Sequence, residues 1–265
     1  MARIVIPLPD RDFDTTEVAV PWRLLTDSGH TVVFATEHGG TAPMTDPLLL
    51  RGVVFKTLGA AAEAKRFYRE LLQDERFSTP ISWADIDPDD YDGLLLPGGH
   101  AKGMRQYLGS TDLQAKVAEY WVTGKPVGAI CHGVVVLART IDPTTGRSVL
   151  YGRRTTCLPR SLEMSGFLFT AWRRGRYYRT YPTYVQREVR RALASRRDFS
   201  RGGPTFLVRG DRDHDRTAFV VEDGNYVSAR WPGDAYLFAR RFEALVAKQT
   251  AVGSTPRDIA SDRDS

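Results

Sequence analysis

From the start of the chain to about residue 140, short apolar runs alternate with stretches of helical period. Arg3-Ile4-Val5-Ile6-Pro7-Leu8 reads as a buried strand, and Thr15 to Asp27, with apolar Val18, Val20, Trp22, Leu24 and Leu25, reads as a helix. Thr31 to Thr36 is the next strand. Strand, helix and strand joined by short connections form a βαβ crossover, which predicts a parallel sheet covered on both faces. Between His38 and Asp90 the alternation breaks. The segment from about 39 to 90 reads as an insertion, with a strand at Gly52–Lys56 and a helix from Ala60 to Leu72. Alternation resumes with strand Gly93–Pro97, helix Asp112–Thr123, strand Pro126–Ile130 and helix His132–Thr140, so the middle of the sheet is expected here. The fold class is α/β, an open, mostly parallel sheet.

The later chain changes character. Leu158 to Arg197 reads as helical and is rich in aromatics, including Phe167, Phe169, Trp172, Tyr177, Tyr178, Tyr181 and Tyr184. The segment 158–201 is expected to form a cap or lid, or an element through which a homodimer assembles. Strands are expected at Phe206–Val208, Ala218–Val221 and Tyr226–Ala229, then a closing helix at Gly233–Ala247. Residues 1–248 are read as one domain, and the polar residues 249–265 as a disordered tail.

Composition narrows the class. With 42% hydrophobic and 26% charged residues in 265, the chain can bury a large core, which excludes disorder throughout. No apolar run approaches the roughly 18 residues of a membrane span, and the opening MARIVIPLPDRD lacks a secretory pattern, so no membrane contact and a cytoplasmic site are expected. The formal charge is +5, yet residues 153–201 alone hold 13 arginines against Glu163, Glu188 and Asp198. That block reads as a solvated helix face or as an anion-collecting or subunit-facing surface. No nucleic-acid-binding motif accompanies it, and no nucleic acid partner is expected.

Chemistry concentrates at Gly124-Lys125-Pro126-Val127-Gly128-Ala129-Ile130-Cys131-His132-Gly133. An apolar strand runs straight into a helix with a thiol at the junction and small residues two positions to either side. Small neighbours allow the sharp turn that pushes one side chain outward, the arrangement of a nucleophile elbow. At a helix N-terminus the dipole favours the thiolate, so Cys131 is expected to have a lowered pKa. Cys157 is far from it in sequence, and both are expected to be free thiols. A second turn, Leu96-Pro97-Gly98-Gly99-His100, ends a neighbouring strand of the same sheet, and ligands of open α/β sheets bind at the strands' carboxyl ends. Gly98 and Gly99, together with the His132 amide, are therefore candidates for binding substrate and its oxyanion. His132 is a candidate general acid and base, against the blander reading of a solvated first-turn histidine. Glu17 has two readings: a capping residue in Asp14-Thr15-Thr16-Glu17, or a carboxyl held protonated beside the Cys131 sulfur.

The segments DFDTTEVAVPWRLLTDSGHTVVFAT, YDGLLLPGGHAKGM, GKPVGAICHGVVVLA, TTGRSVLYGRRTT and DGNYVSARWPGDAYLFARRF together resemble the ThiJ/PfpI superfamily, also called class I glutamine amidotransferase-like. Within it the chain looks most like the branch of heat-shock chaperones and glutathione-independent glyoxalases. The resemblance implies a flavodoxin-like fold with Cys131 as nucleophile, His132 as its partner and Glu17 bonded to the thiol. It also makes Glu163 the acid orienting His132, with Asp211, Asp213 and Asp215 as substitutes. The activity implied is conversion of a small 2-oxoaldehyde to a 2-hydroxy acid, with no cofactor and no metal. Two rivals are a stress-response holdase or redox sensor, in which Cys131 is oxidised to a sulfinic acid beside Glu17, and an amidase or peptidase. Against glutamine use, the last histidine, His214, is followed by Asp215 and Arg216.

Overall fold

A seven-stranded sheet carries out this pattern. The computed structural model describes residues 1–205 and 208–253 of the chain. In chain order the strands are β1 (Arg3–Pro7), β2 (Arg11–Phe13), β3 (Thr31–Thr36), β4 (Met44–Thr45), β5 (Ile81–Ser82), β6 (Gly93–Leu96), β7 (Val127–Ile130), β8 (Val220–Asp223) and β9 (Tyr226–Ala229). The main sheet has the order β5-β3-β1-β6-β7-β9-β8, parallel throughout except for the antiparallel β8–β9 edge. β2 and β4 form a separate parallel pair. The strand at the sheet's centre is β6, as the apolar pattern predicts. The segment read as an insertion contributes to the sheet itself, because β5 supplies its outer edge beside β3.

The helices are α1 (Thr15–Asp27), α2 (Pro47–Arg51), α3 (Ala62–Leu71), α4 (Glu75–Ser78), α5 (Met104–Gly109), α6 (Thr111–Val122), α7 (Gly133–Arg139), α8 (Arg160–Arg174), α9 (Val185–Ala192) and α10 (Ala235–Gly253). One face of the sheet is covered by α1 and α10, with α3 packed on α1; α5, α6 and α7 cover the other, with α9 against α7. Sequence explains why α10 lies so close to β6 and β7. A Cβ on Gly128 would stand 2.8 Å from the Phe242 ring and one on Gly93 2.9 Å from it, so glycine there admits the phenylalanines of α10. No described helix is long and apolar enough to cross a membrane.

Three expectations need correction. Gly52–Lys56 is not a strand: Phe55, Lys56 and Leu58 adopt left-handed φ values of 47°, 63° and 57°, and Val53 and Val54 instead bury themselves within a loop. The block after Leu158 is not continuously helical, since an irregular segment, 175–184, separates α8 from α9. The last helix runs to Gly253, past the expected start of a tail, and residues 254–265 lie outside the described residues, as do Phe206 and Leu207 of one expected strand.

Two features lock the carboxyl end of the sheet. Arg230 and Asp234, 1% and 0% exposed as side chains, pair through Nε–Oδ2 at 2.8 Å and Nη2–Oδ1 at 2.9 Å. Two further guanidinium hydrogens go to the carbonyls of Gly203 and Thr217, so the pair ties the loop before β8 to the start of α10. The other is Gly133, where an added Cβ would stand 2.1 Å from the Leu96 carbonyl oxygen. Gly133→Ala is expected to cost about 3 kcal/mol or more, whereas Gly203→Ala, with nothing near its Cβ position, should cost far less; urea melts of the two variants measure the difference.

Candidate active site

Cys131 follows β7 and has a φ of 58°, a left-handed conformation that non-glycine residues rarely hold. Its backbone N–H donates to Ala229 O at 3.0 Å, which fixes the strained turn to β9. The side chain is 5% exposed and lines a cavity of about 340 Å³. His132, 1% exposed, turns Nδ1 toward Cys131 Sγ at 3.5 Å.

Glu17 resolves its two readings. Asp14 is the cap, accepting from the amides of Thr16 at 2.8 Å and Glu17 at 3.1 Å. The Glu17 side chain points the other way, is wholly buried, and accepts from the Gly98 amide at 2.8 Å. The carboxyl also interacts with the Cys131 thiol, and its Oε1 is buried with no hydrogen-bond partner among the described residues. Gly98 is pressed from both sides: a Cβ there would stand 2.7 Å from Glu17 Oε2 and 2.7 Å from the His132 amide nitrogen. The amides of Gly99 and His132 donate to no oxygen among the described residues. Gly98, named with Gly99 for oxyanion binding, has its own amide committed to Glu17.

Burial sets the protonation states. It lifts Glu17 well above the usual carboxylate range, helped by the charge of Asp14, and lifts Asp14 to about 6 against the pull of Arg209. It drops His132 to about 3, with the neighbouring His100 adding to the effect. The Cys131 thiol is pushed up, first by burial and then by the carboxyls of Glu17 and Asp14, which outweigh the favourable His132 amide. The lowered thiol pKa expected from the helix terminus is therefore not found.

Glu163 does not meet His132. Its Oε2 accepts from the Val185 amide at 3.0 Å and its Oε1 lies 3.8 Å from Arg179 Nε, so it ties α8 to the start of α9. It lines the cavity nonetheless, and burial raises it to about 7. Asp211 binds His214, Asp213 is exposed, and Asp215 pairs with Arg240; none contacts His132. The far nitrogen of His132, Nε2, lies instead 3.2 Å from Thr180 Oγ1. Thr180 comes from the irregular segment between α8 and α9, as do Tyr178, stacked on the His100 ring at 4.3 Å, and Tyr177, edge-on to it at 4.6 Å. The rest of the cavity wall is largely apolar, with Leu49, Leu158, Leu162, Phe169 and Trp231, and carries Arg209, whose Nη1 is buried without a partner among the described residues. Sequence reading missed Thr180 and Arg209. No group of side chains placed to hold a metal ion occurs among the described residues.

The ThiJ/PfpI family-like model matches residues 8–194, more than half of the chain. The chain belongs to the ThiJ/PfpI family. Among ThiJ/PfpI relatives, a deglycase of Pyrococcus abyssi is 24% identical over 92% of this chain and 99% of its own length. A glutathione-independent glyoxalase of Schizosaccharomyces pombe is 27% identical over 56% of this chain and 60% of its own. The crystal structure of glyoxalase III from Candida albicans superposes with a TM-score of 0.65 at 22% identity, covering 92% of this chain and 97% of that one. The ThiJ/PfpI fold is thereby matched along nearly all of the chain.

Two outcomes follow from the protonation states. In a Cys157→Ser background, the pH profile of Cys131 alkylation by iodoacetamide is expected to have its midpoint above 9; a midpoint below the ordinary thiol value of about 8.5 would contradict the burial argument. For Glu163, the folded state holds the proton more tightly between the ordinary 4.5 and about 7, so stability falls as pH rises through that window. Glu163→Gln keeps an acceptor for the Val185 amide and cannot ionise. Its melting temperature should match wild type near pH 4.5 and exceed it at pH 8, as read by calorimetry.

Proposed function

We propose that this chain is a cysteine-dependent enzyme that converts a 2-oxoaldehyde to a 2-hydroxy acid without a redox cofactor. The observation that carries the reading is the left-handed Cys131 turned toward His132 and a buried, protonated Glu17 at the wall of a cavity. Because the thiol is not ionised at rest, activation belongs to the attack itself. His132 Nδ1 takes the thiol proton as Sγ bonds to the aldehyde carbon, and the amides of Gly99 and His132 hold the oxygen that gains charge. Glu17 protonates that oxygen, giving a hemithioacetal, and as a carboxylate then removes the hydrogen from the same carbon. The resulting enediol takes this proton back at the adjacent carbon, and the hydroxyl hydrogen moves to the second oxygen, leaving a thioester of the 2-hydroxy acid. Water, deprotonated by Glu17, releases the acid while imidazolium returns a proton to the sulfur. One carbon is oxidised and its neighbour reduced, so one water is the sole co-reactant.

A second reading shares this adduct. At about 340 Å³ the cavity exceeds the space of a five-heavy-atom oxoaldehyde, of the order of three waters, or roughly 90 Å³. The long-coverage relatives are named deglycases, which supports a 2-oxoaldehyde carried on an amine as a further substrate form. The chemistry of both forms passes through Cys131.

Methylglyoxal, phenylglyoxal and a methylglyoxal–amine adduct, each incubated without added thiol, test the reading by chromatography of the acid formed. Wild type is expected to form the 2-hydroxy acid, Cys131→Ala to fall to background, and Glu17→Gln to lose roughly 10²–10⁴-fold in kcat. Absence of acid from all three substrates, or full activity of Cys131→Ala, overturns it.

A further inference from the structure

The tautomer of His132 can be read from a hydroxyl it touches. Thr180 is 1% exposed, and its Oγ1 donates to the His100 carbonyl oxygen at 2.6 Å. A carbonyl only accepts, so the single hydroxyl hydrogen is committed there. Toward His132 Nε2, 3.2 Å away, Oγ1 can then only accept, and Nε2 must be the nitrogen that carries a hydrogen. Nδ1 is left with a free lone pair facing the Cys131 sulfur at 3.5 Å. The Thr180 carbonyl in turn accepts from Arg105 Nε at 2.8 Å, which anchors the residue from the α5 side.

We infer that Thr180 is the positioning residue of this site: it holds His132 as the neutral Nε2–H tautomer with Nδ1 aimed at the thiol. The inference rests on reading Cys131 and His132 as the reacting pair. It also goes beyond it, because a hydroxyl acts differently from the carboxylate expected at this position. A carboxylate stabilises imidazolium and with it a thiolate–imidazolium ion pair. A hydroxyl already committed to a carbonyl orients the ring but supplies no charge. The groups around the ring are the His100 imidazole, the Cys131 thiol and, beyond the sulfur, the carboxyls of Glu17 and Asp14. Buried, the ring stays uncharged, with a pKa of about 3. Thiol and imidazole therefore rest as a neutral pair.

The test needs no substrate. In the ¹⁵N-labelled full chain at pH 7.5, long-range ¹H–¹⁵N NMR reports which ring nitrogen bears the proton, and His132→Gln assigns the signal. Wild type is expected to show Nε2–H. Thr180→Val, close in shape but without the acceptor, should shift the proton toward Nδ1 and slow Cys131 alkylation by iodoacetamide roughly tenfold or more, with Cys157→Ser in both backgrounds. Thr180→Ser should restore the tautomer and the rate together. An Nδ1–H or imidazolium signal in wild type overturns the inference whether or not Thr180→Val folds, as does a folded Thr180→Val with unchanged tautomer and rate. Should the chain turn over no carbonyl compound, the proposed function fails while the NMR result still decides the role of Thr180.

Discussion

The site depends on how closely two strand-to-helix turns are pressed together. The turn after β6, Pro97-Gly98-Gly99, and the turn after β7, Cys131-His132-Gly133, meet with no room for a further methyl group: a Cβ on Gly133 would strike the Leu96 carbonyl and one on Gly98 the His132 amide. Glycine is required there by contact with backbone, which cannot move aside as a flexible side chain can. Glu17 completes the junction from a third element, since its bond to the Gly98 amide joins α1 to the end of β6. Within that clamp Cys131 is held to Ala229 by its own backbone amide. Its left-handed turn follows from the packing of the sheet's carboxyl end.

The same clamp determines the charge of the site. Burial disfavours whichever form is ionised, so it raises carboxyls and thiols and lowers imidazoles. Glu17, Asp14 and Glu163 move up while His100 and His132 move down to about 3. The result is a centre in which Glu17 keeps its proton and the imidazoles stay neutral, while Asp14, at about 6, and Glu163, at about 7, exchange theirs closer to neutral pH. An elbow cysteine at a helix terminus suggests a standing thiolate, but a short helix end offers only a partial charge. Desolvation of a buried sulfur beside two carboxyls outweighs it. Reactivity of this thiol then depends on the transfer of a proton at the moment of attack.

What the chain discloses in one dimension follows from this physics. Elements set by local periodicity were legible: α1 and β3 have the bounds read from the sequence, and β9 does as well. The two glycine turns and Cys131 were legible because close approach leaves only small residues at fixed spacing. Glu17 could be named but not decided, since a capping pattern and a buried acid share the same letters; Asp14 makes the cap and frees Glu17 for Gly98. Gly52–Lys56 looked like a strand because β-prone residues fill it, whereas three left-handed residues between 55 and 58 turn the chain back on itself. Thr180 and the Arg230–Asp234 lock carry no local signature at all. A threonine 48 residues beyond the histidine it touches is set by tertiary packing alone, and ordering along the chain led to Glu163 instead.

The arginine- and aromatic-rich block gains a more definite part from this geometry. Many of its cations lie outward on α8 and α9, consistent with a solvated face, yet the short irregular segment between these helices turns inward. Tyr177 and Tyr178 enclose the His100 ring, Tyr177 donates a short hydrogen bond to Asp46 beside α2, and Thr180 bonds both the His100 carbonyl and the His132 ring. Helix α8 meanwhile supplies Leu162, Glu163, Gly166 and Phe169 to the cavity wall. One stretch of chain thus bounds the space a substrate would occupy and contacts the nitrogen opposite the thiol. Within residues 175–184, Tyr178 lines the cavity and Thr180, two positions on, touches the His132 ring, so one short irregular peptide borders both. Aromatic bulk and a small hydroxyl therefore stand in close succession on it. The rings cover the His100 imidazole, and the hydroxyl gives the dehydrated His132 ring a polar contact on the side away from the thiol.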